Sequence, residues 1–337
     1  IRTGMQSIWP LRTHRPPHMT IPRPKRMPLD PSTTHEAWLT DFALDYLATR
    51  PADRPFFMVV SYQGPHPPFK IPEPYFSMYD PDDIPEPPNF PGDALTLPNK
   101  PESVETSYYH QIWLDYGQDW EAWKKSVAVY WGFVTMVNDQ IGRVIQAVED
   151  EGILDDTLII LASDHGEFLG NHGLWQKMMP YEEAVRVPLI MRYPPRIKAG
   201  LRSRAVVSLI DLMPTILSVV GEPVPGHMLG RDLSPAFRDG AEFQQDAYRF
   251  SEHEPHGPWH HVVEWRLVAD SRYKYVWNEG DLDELYDLEL DPYELDNRIG
   301  EPNAQQEVQR LRSRLQAWMA ETEDPLLASF QQDVGSK

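Results

Sequence analysis

Residues 158 to 177 read LIILASDHGEFLGNHGLWQK. Mostly apolar residues lead directly into Asp164 and His165, and three glycines, a second histidine and a lysine follow. A short apolar run bounded by polar and glycine residues reads as a buried strand. In an open parallel sheet, ligands sit beyond the carboxyl ends of the strands, which is where the acid and the imidazole stand. A carboxylate oxygen and a neutral imidazole nitrogen together suit a divalent cation. Gly166, Gly170 and Gly173 let the next loop turn tightly. On the dipeptide alone, a helix-capping Asp164 and a packed His165 would serve as well; His172 and Lys177 downstream favour the ligand reading.

The bulk properties frame that site. At 337 residues the chain can hold one large unit and a smaller one. Lys and Arg number 31 against 51 Asp and Glu, and the net charge of −20 argues against a nucleic-acid partner. An anionic substrate therefore needs a local positive site, such as a metal or a lysine. No apolar run reaches the roughly 18 residues of a membrane span. With no Cys, disulfides and thiolate ligands are excluded, while the compartment stays open. The chain begins Ile1-Arg2-Thr3 without an initiator Met or a signal-like stretch, which reads as a processed or truncated product. The 34 prolines gather at 10–31 and 64–93, where interleaved aromatics suggest ordered irregular loop.

Along the chain, strands and helices alternate. Thr33 with Glu36 reads as a capping box for a helix whose apolar face is Trp38, Phe42, Ala43, Tyr46 and Leu47. FFMVVSYQ (56–63), TLIILAS (157–163) and VPLIMRY (187–193) read as strands covered on both faces. Val127 to Val148 repeat at helical spacing up to Gly152, and DLMPTILSVVG (211–221) is a helix with Pro214 in its first turn. The expected fold class is α/β, a largely parallel sheet sandwiched by helices over residues 1–240, with a long Pro/aromatic loop at about 64–120. Beyond it, 241–337 reads as a smaller α+β subdomain of half-solvated antiparallel strands and a terminal helix.

Two further residues carry chemistry. Lys177 lies among Trp175, Met178, Met179 and Tyr181, an apolar setting that suits an anchor for a tetrahedral anion better than a surface charge. His66, in YQGPHPPF, is presented by flanking prolines at the same sheet edge; it reads equally as a proton donor to a leaving oxygen or as a turn histidine in water. Glu182, Glu183 and Arg186 read as structural. The histidines at 253, 256, 260 and 261 read first as a solvated loop.

GPHPPF (64–69), ILDDTLIILASDHGEFLGNHGLWQK (153–177), PYEEAVRVPLI (180–190), DLMPTIL (211–217) and ELYDLELDPYELDN (284–297) resemble the sulfatase family of the alkaline-phosphatase-like superfamily. The resemblance implies a hydrolase of sulfate monoesters that uses one divalent cation, commonly Ca2+, with Mn2+ or Mg2+ as alternatives. It implies Asp164 and His165 as metal ligands, Lys177 and His66 as catalytic groups at the sulfate, and His172 as a substrate-pocket residue. The aromatic loop at 68–120 and the segment at 251–264 are expected to line the pocket mouth. The family nucleophile, a formylglycine made from Cys or Ser in a Cys/Ser-x-Pro-x-Arg signature, has no counterpart here. The expectation is that an N-terminal part of the pattern lies outside this chain, which alone is inactive. Phosphonate monoester or phosphodiester hydrolysis is the alternative within the superfamily, and an inactive binder of sulfated glycan the alternative outside catalysis.

Overall fold

The computed structural model describes residues 23–91, 99–237, 247–254 and 263–336. Strand β1 (Lys25–Met27) runs parallel to β2 (Lys70–Pro72), with helix α1 (His35–Thr49) between them in the chain. Asp30 accepts the Ser32 N–H and draws Pro31–Thr33 into a 3-10 turn. Thr34 therefore caps α1 in place of Thr33, its hydroxyl accepting the Ala37 N–H at 3.2 Å.

Next come α2 (Glu102–Thr106), α3 (Tyr108–Tyr116) and the long α4 (Trp120–Asp150), so the expected loop at 64–120 is partly helical. Three of its aromatics are core residues, Phe69, Tyr109 and Trp113 packing with or beside Trp123, Phe133 and Trp175. α1 packs on α4 through Ala37, Thr40, Ala43 and Leu47. Trp38, Phe42 and Tyr46, expected inside, are 61, 68 and 40% exposed. Small residues allow the close helix crossing, and the large aromatics one step round the helix are left outside.

The stretch 56–63 forms no ladder with any described strand. Its exposure alternates, Phe57 and Val59 standing 75 and 72% exposed, so the expected double-faced burial fails. Strand β3 (Ile159–Ala162) is followed by the short helix α5 (Glu182–Val185) and then β4 (Leu189–Arg192). β3 and β4 pair antiparallel, Ile159 opposite Arg192, so among the described residues the pairing of these two strands is not the expected parallel one. Apolar runs mark strands but do not set their direction. The pair is covered on one face, where Leu189 and Met191 meet Val219, Leu233 and Phe237, while Ile190 on the other is 61% exposed. Helix α6 (Leu212–Val220) supplies Val219, holds Pro214 in its first turn and ends at left-handed Gly221.

The boundary expected near 240 lies outside the described residues. Beyond it, β5 (Arg249–His253), β6 (Trp265–Ala269), β7 (Tyr273–Asn278) and β8 (Glu284–Asp287) form an antiparallel meander. Helices α7 (Gln305–Glu321) and α8 (Leu327–Ser336) cover one face, Leu311, Leu315, Met319 and Phe330 packing on Val268, Tyr275, Trp277 and Leu285. The other face, expected in water, packs on Phe168, Leu174, Met179 and Tyr181. The sheet's polar residues mimic a solvated pattern because they are paired internally, Arg266 with Asp324 at 2.6 Å on the helix-covered face and Lys274 with Glu294 on the other.

One contact at the end of β3 is tight. Gly166 donates its N–H to Ala184 O at 2.8 Å, and a Cβ there would lie 1.9 Å from the Glu183 carbonyl oxygen. Gly166→Ala is expected to destabilise by about 1–3 kcal/mol or more, since the obstacle is backbone. Leu315→Ala, emptying a fully buried position, is expected to lose about 2–5 kcal/mol. Val59→Thr on the open stretch should stay within about 0.5 kcal/mol. Urea denaturation reads all three, and a Gly166→Ala midpoint equal to wild type would contradict the packing described.

Candidate active site

The chain leaves β3 at Ala162 and turns at once. The Ser163 hydroxyl donates to His165 O at 2.8 Å, and the His165 N–H donates to Asp164 Oδ1 at 3.0 Å. His165 Nδ1 lies 2.8 Å from Gly166 O. A carbonyl only accepts, so Nδ1 carries the ring proton and Nε2 keeps its lone pair. That lone-pair nitrogen stands 3.6 Å from Asp164 Oδ2. Two donor atoms so spaced, with the imidazole tautomer fixed by backbone, fit one divalent cation between them.

Residues 167 to 176 form a closed loop. Phe168 N–H donates to Gln176 O at 2.9 Å, Gly170 N–H to Leu174 O at 2.9 Å, and Gln176 N–H to Glu167 Oε1 at 2.6 Å. Leu169, Gly170, His172, Gly173 and Gln176 all have positive φ, which only the glycines adopt without strain. Burial pushes the Glu167 carboxyl up to about 7 against these backbone donors.

The loop delivers Lys177. Its ammonium donates to His66 Nε2 at 2.9 Å. His66 Nδ1 lies 2.7 Å from Pro67 O, which fixes the proton on Nδ1 and leaves Nε2 as the acceptor. Partial burial holds the His66 ring below its ordinary value, and the positive charge of Lys177 adds to this. Partial burial also lowers Lys177, with Glu167 and Asp164 opposing. Asp164 and His165 are close enough to bias His66 electrostatically.

His172 is not with them. It is 1% exposed, stacks on Tyr181 at 4.2 Å, bonds Asn89 at 3.1 Å and lies 3.4 Å from Glu183. The expected substrate contact conflicts with this burial, which makes His172 a core residue. His172, Glu183 and Glu294 bring possible metal-ligand atoms within 4.8 Å of one another, but the Lys274 ammonium already compensates Glu294. Glu182 pairs with Arg249 at 2.6 Å, as a structural residue should, whereas Arg186 is exposed. His253 is buried against Trp265 and is not the solvated residue expected; His256, His260 and His261 lie outside the described residues. Glu167 was not singled out from sequence, although an acid inside an otherwise glycine-rich and apolar stretch was a signal.

This geometry has relatives. Residues 12–222 match the family described as Sulfatase, and residues 170–321 match N-sulphoglucosamine sulphohydrolase, C-terminal. The chain is 30% identical over 282 residues to an arylsulfatase of Clostridium perfringens, covering 82% of this chain and 56% of that protein. It is 30% identical over 358 residues to the multifunctional alkaline phosphatase superfamily protein PehA of Trinickia caryophylli, covering 96% and 66%. This chain therefore spans between 56% and 66% of these two relatives. Among solved structures, the phosphonate monoester hydrolase SpPMH from Silicibacter pomeroyi superposes with TM-score 0.73 at 31% identity, over 88% of this chain and 62% of that one. BT4656, in complex with its substrate D-glucosamine-2-N,6-O-disulfate, superposes with TM-score 0.77 at 23% identity, over 86% and 70%, a likeness of fold. With the family pattern running from 12 to 222 through the β3 tip and Lys177, the chain belongs to the sulfatase family.

Proposed function

We propose that the natural protein carrying this chain hydrolyses sulfate monoesters at the tip of β3. The observation that carries this is the Lys177 ammonium, 2.9 Å from His66 and beside the Asp164–His165 pair. In a chain with net charge −20, that local cation is where an anionic ester finds attraction. Lys177 holds a nonbridging oxygen of the sulfate and compensates charge gathering on it. The Lys177 ammonium commits one N–H to His66 Nε2, with His66 oriented by Pro67, and its other N–H groups are left for the ester oxygens. Asp164 and His165 would hold one divalent cation, Ca2+ first, which when bound supplies Lewis-acid polarisation of the ester oxygens.

The nucleophile is not supplied by these residues. The chain has no Cys, and no Ser stands two residues before a Pro in the family signature. The chain by itself is therefore silent in catalysis, and a formylglycine from outside it completes the site. The family assignment supports a sulfate ester. Phosphonate monoester hydrolysis is the second reading, favoured by the likeness to SpPMH at 31% identity.

Side-by-side kinetics on 4-nitrocatechol sulfate and an aryl phosphonate monoester test the first reading with the natural full-length protein. A higher kcat/KM on the sulfate is expected; the reverse order would establish the phosphonate reading. Lys177→Ala and His66→Ala should each lower kcat/KM by about 10²–10³-fold. The 337-residue chain alone should show no turnover, and turnover would contradict the outside nucleophile.

The pair also has a pH signature. His66 is held below its ordinary value of about 6.5 in the folded state. As pH falls, the unfolded chain takes up this proton first, so stability from the neutral ring is complete above about 6.5 and is lost as pH falls through the depressed folded pKa. Ring 15N NMR of the isolated chain should place the His66 midpoint below the ordinary value. Lys177→Met should move it upward, having removed a positive neighbour and a donor to the neutral ring. An unmoved midpoint would mean that the two side chains do not meet in solution.

A further inference from the structure

Gln176, the residue before Lys177, sits at φ +67 and is largely buried. A non-glycine residue there is strained by about 1 kcal/mol or more and persists only where its surroundings over-determine it. Two hydrogen bonds do so, one to each of the peptides that flank its Cα. Its carbonyl accepts the Phe168 N–H at 2.9 Å, and its N–H donates to Glu167 Oε1 at 2.6 Å. The first is backbone and would survive most substitutions; the second depends on one side chain.

We propose that Glu167 is a positioning residue for Lys177: its carboxylate oxygen clamps the Gln176 N–H and so fixes the left-handed turn that aims the ammonium at His66. Glu167 is anchored in turn, because Gly166 before it is locked to Ala184 and Phe168 after it is fully buried. The carboxylate also lies near enough to Lys177 to bias its charge. A clamp built from one short hydrogen bond holds a strained peptide in place. The inference rests on reading Lys177 and His66 as the substrate-facing pair.

Ring 15N NMR of His66 in the chain reads the clamp without needing turnover. Glu167→Gln keeps an acceptor oxygen at the same reach, and its His66 midpoint should stay with wild type. Glu167→Asp keeps the charge but withdraws the oxygen by one methylene, and Glu167→Ala removes it. Both should shift the midpoint upward, as Lys177→Met does, because the ammonium has left the ring. Adding Gln176→Gly to Glu167→Ala removes the φ strain and should return the midpoint part of the way; adding Gln176→Ala should not. Where Glu167→Ala does not fold, the Asp and Gln variants decide.

The role is overturned if folded Glu167→Asp keeps the wild-type midpoint, or if Glu167→Gln is displaced as far as Glu167→Asp, which would assign the effect to charge. In the natural full-length protein, Glu167→Asp is expected to lower kcat/KM on 4-nitrocatechol sulfate by about 10–100-fold, the penalty of a misplaced group. A full-length wild type that hydrolyses no sulfate ester, with His66 responding as above, would sink the hydrolase reading and leave the clamp standing.

Discussion

The site depends on one hydrogen bond, from the Lys177 ammonium to His66 Nε2 at 2.9 Å. Its two partners are 111 residues apart in sequence, and neither can find the other unaided. Every local feature around them serves that meeting. Pro67 O takes the Nδ1 proton, so Nε2 must accept. The loop 167–176 closes on itself through backbone bonds, so Lys177 leaves it in a fixed direction. Gly166 lets the strand end pass against the Glu183 backbone, where any side chain would collide. The same device recurs at His165, whose Nδ1 is tied to Gly166 O so that Nε2 faces the Asp164 carboxylate. Backbone carbonyls thus set both imidazole tautomers, and side-chain chemistry follows from main-chain geometry.

The C-terminal sheet supports this loop from beneath. Phe168, Leu174 and Tyr181 pack on Trp265, Leu267 and Tyr286, which joins the site loop to the meander through an apolar layer. Buried charges cross the same layer. Lys274 meets Glu294 and donates to Pro180 O at 2.8 Å, while the Glu182 N–H donates to Glu294 at 2.7 Å. Such pairs give back little net stability after desolvation, yet removing one partner strands the other. They fix the register of α5 against the sheet, and α5 carries the carbonyls that Gly166 meets.

The sequence was most legible where glycine, histidine and lysine spacing carried chemistry. Lys177 and His66 meet in a hydrogen bond, Asp164 and His165 stand together at the end of β3, and the antiparallel C-terminal sheet with its helix stands as read. What could not be read was which face of an element meets which neighbour. Trp38 and Phe42 looked like core because they are aromatic, but the buried face of α1 is that of Ala37, Thr40, Ala43 and Leu47. β6 and β7 looked half-solvated because Lys274 and Arg266 interrupt the apolar run, but both are paired from beyond their own strands, Arg266 with Asp324 at 2.6 Å and Lys274 with Glu294. His172 failed for the same reason: its partners Asn89 and Glu183 come from elsewhere in the chain and seal it inside. Long-range pairing is invisible to local spacing.

A crystal structure of the natural full-length protein grown with calcium and inorganic sulfate puts the shared site to its most direct test. One cation bound by the Asp164 carboxylate and His165 Nε2, with a sulfate oxygen in hydrogen-bond reach of Lys177 Nζ, is the expected result. A cation settled instead among His172, Glu183 and Glu294, or a sulfate bound away from Lys177, would contradict it.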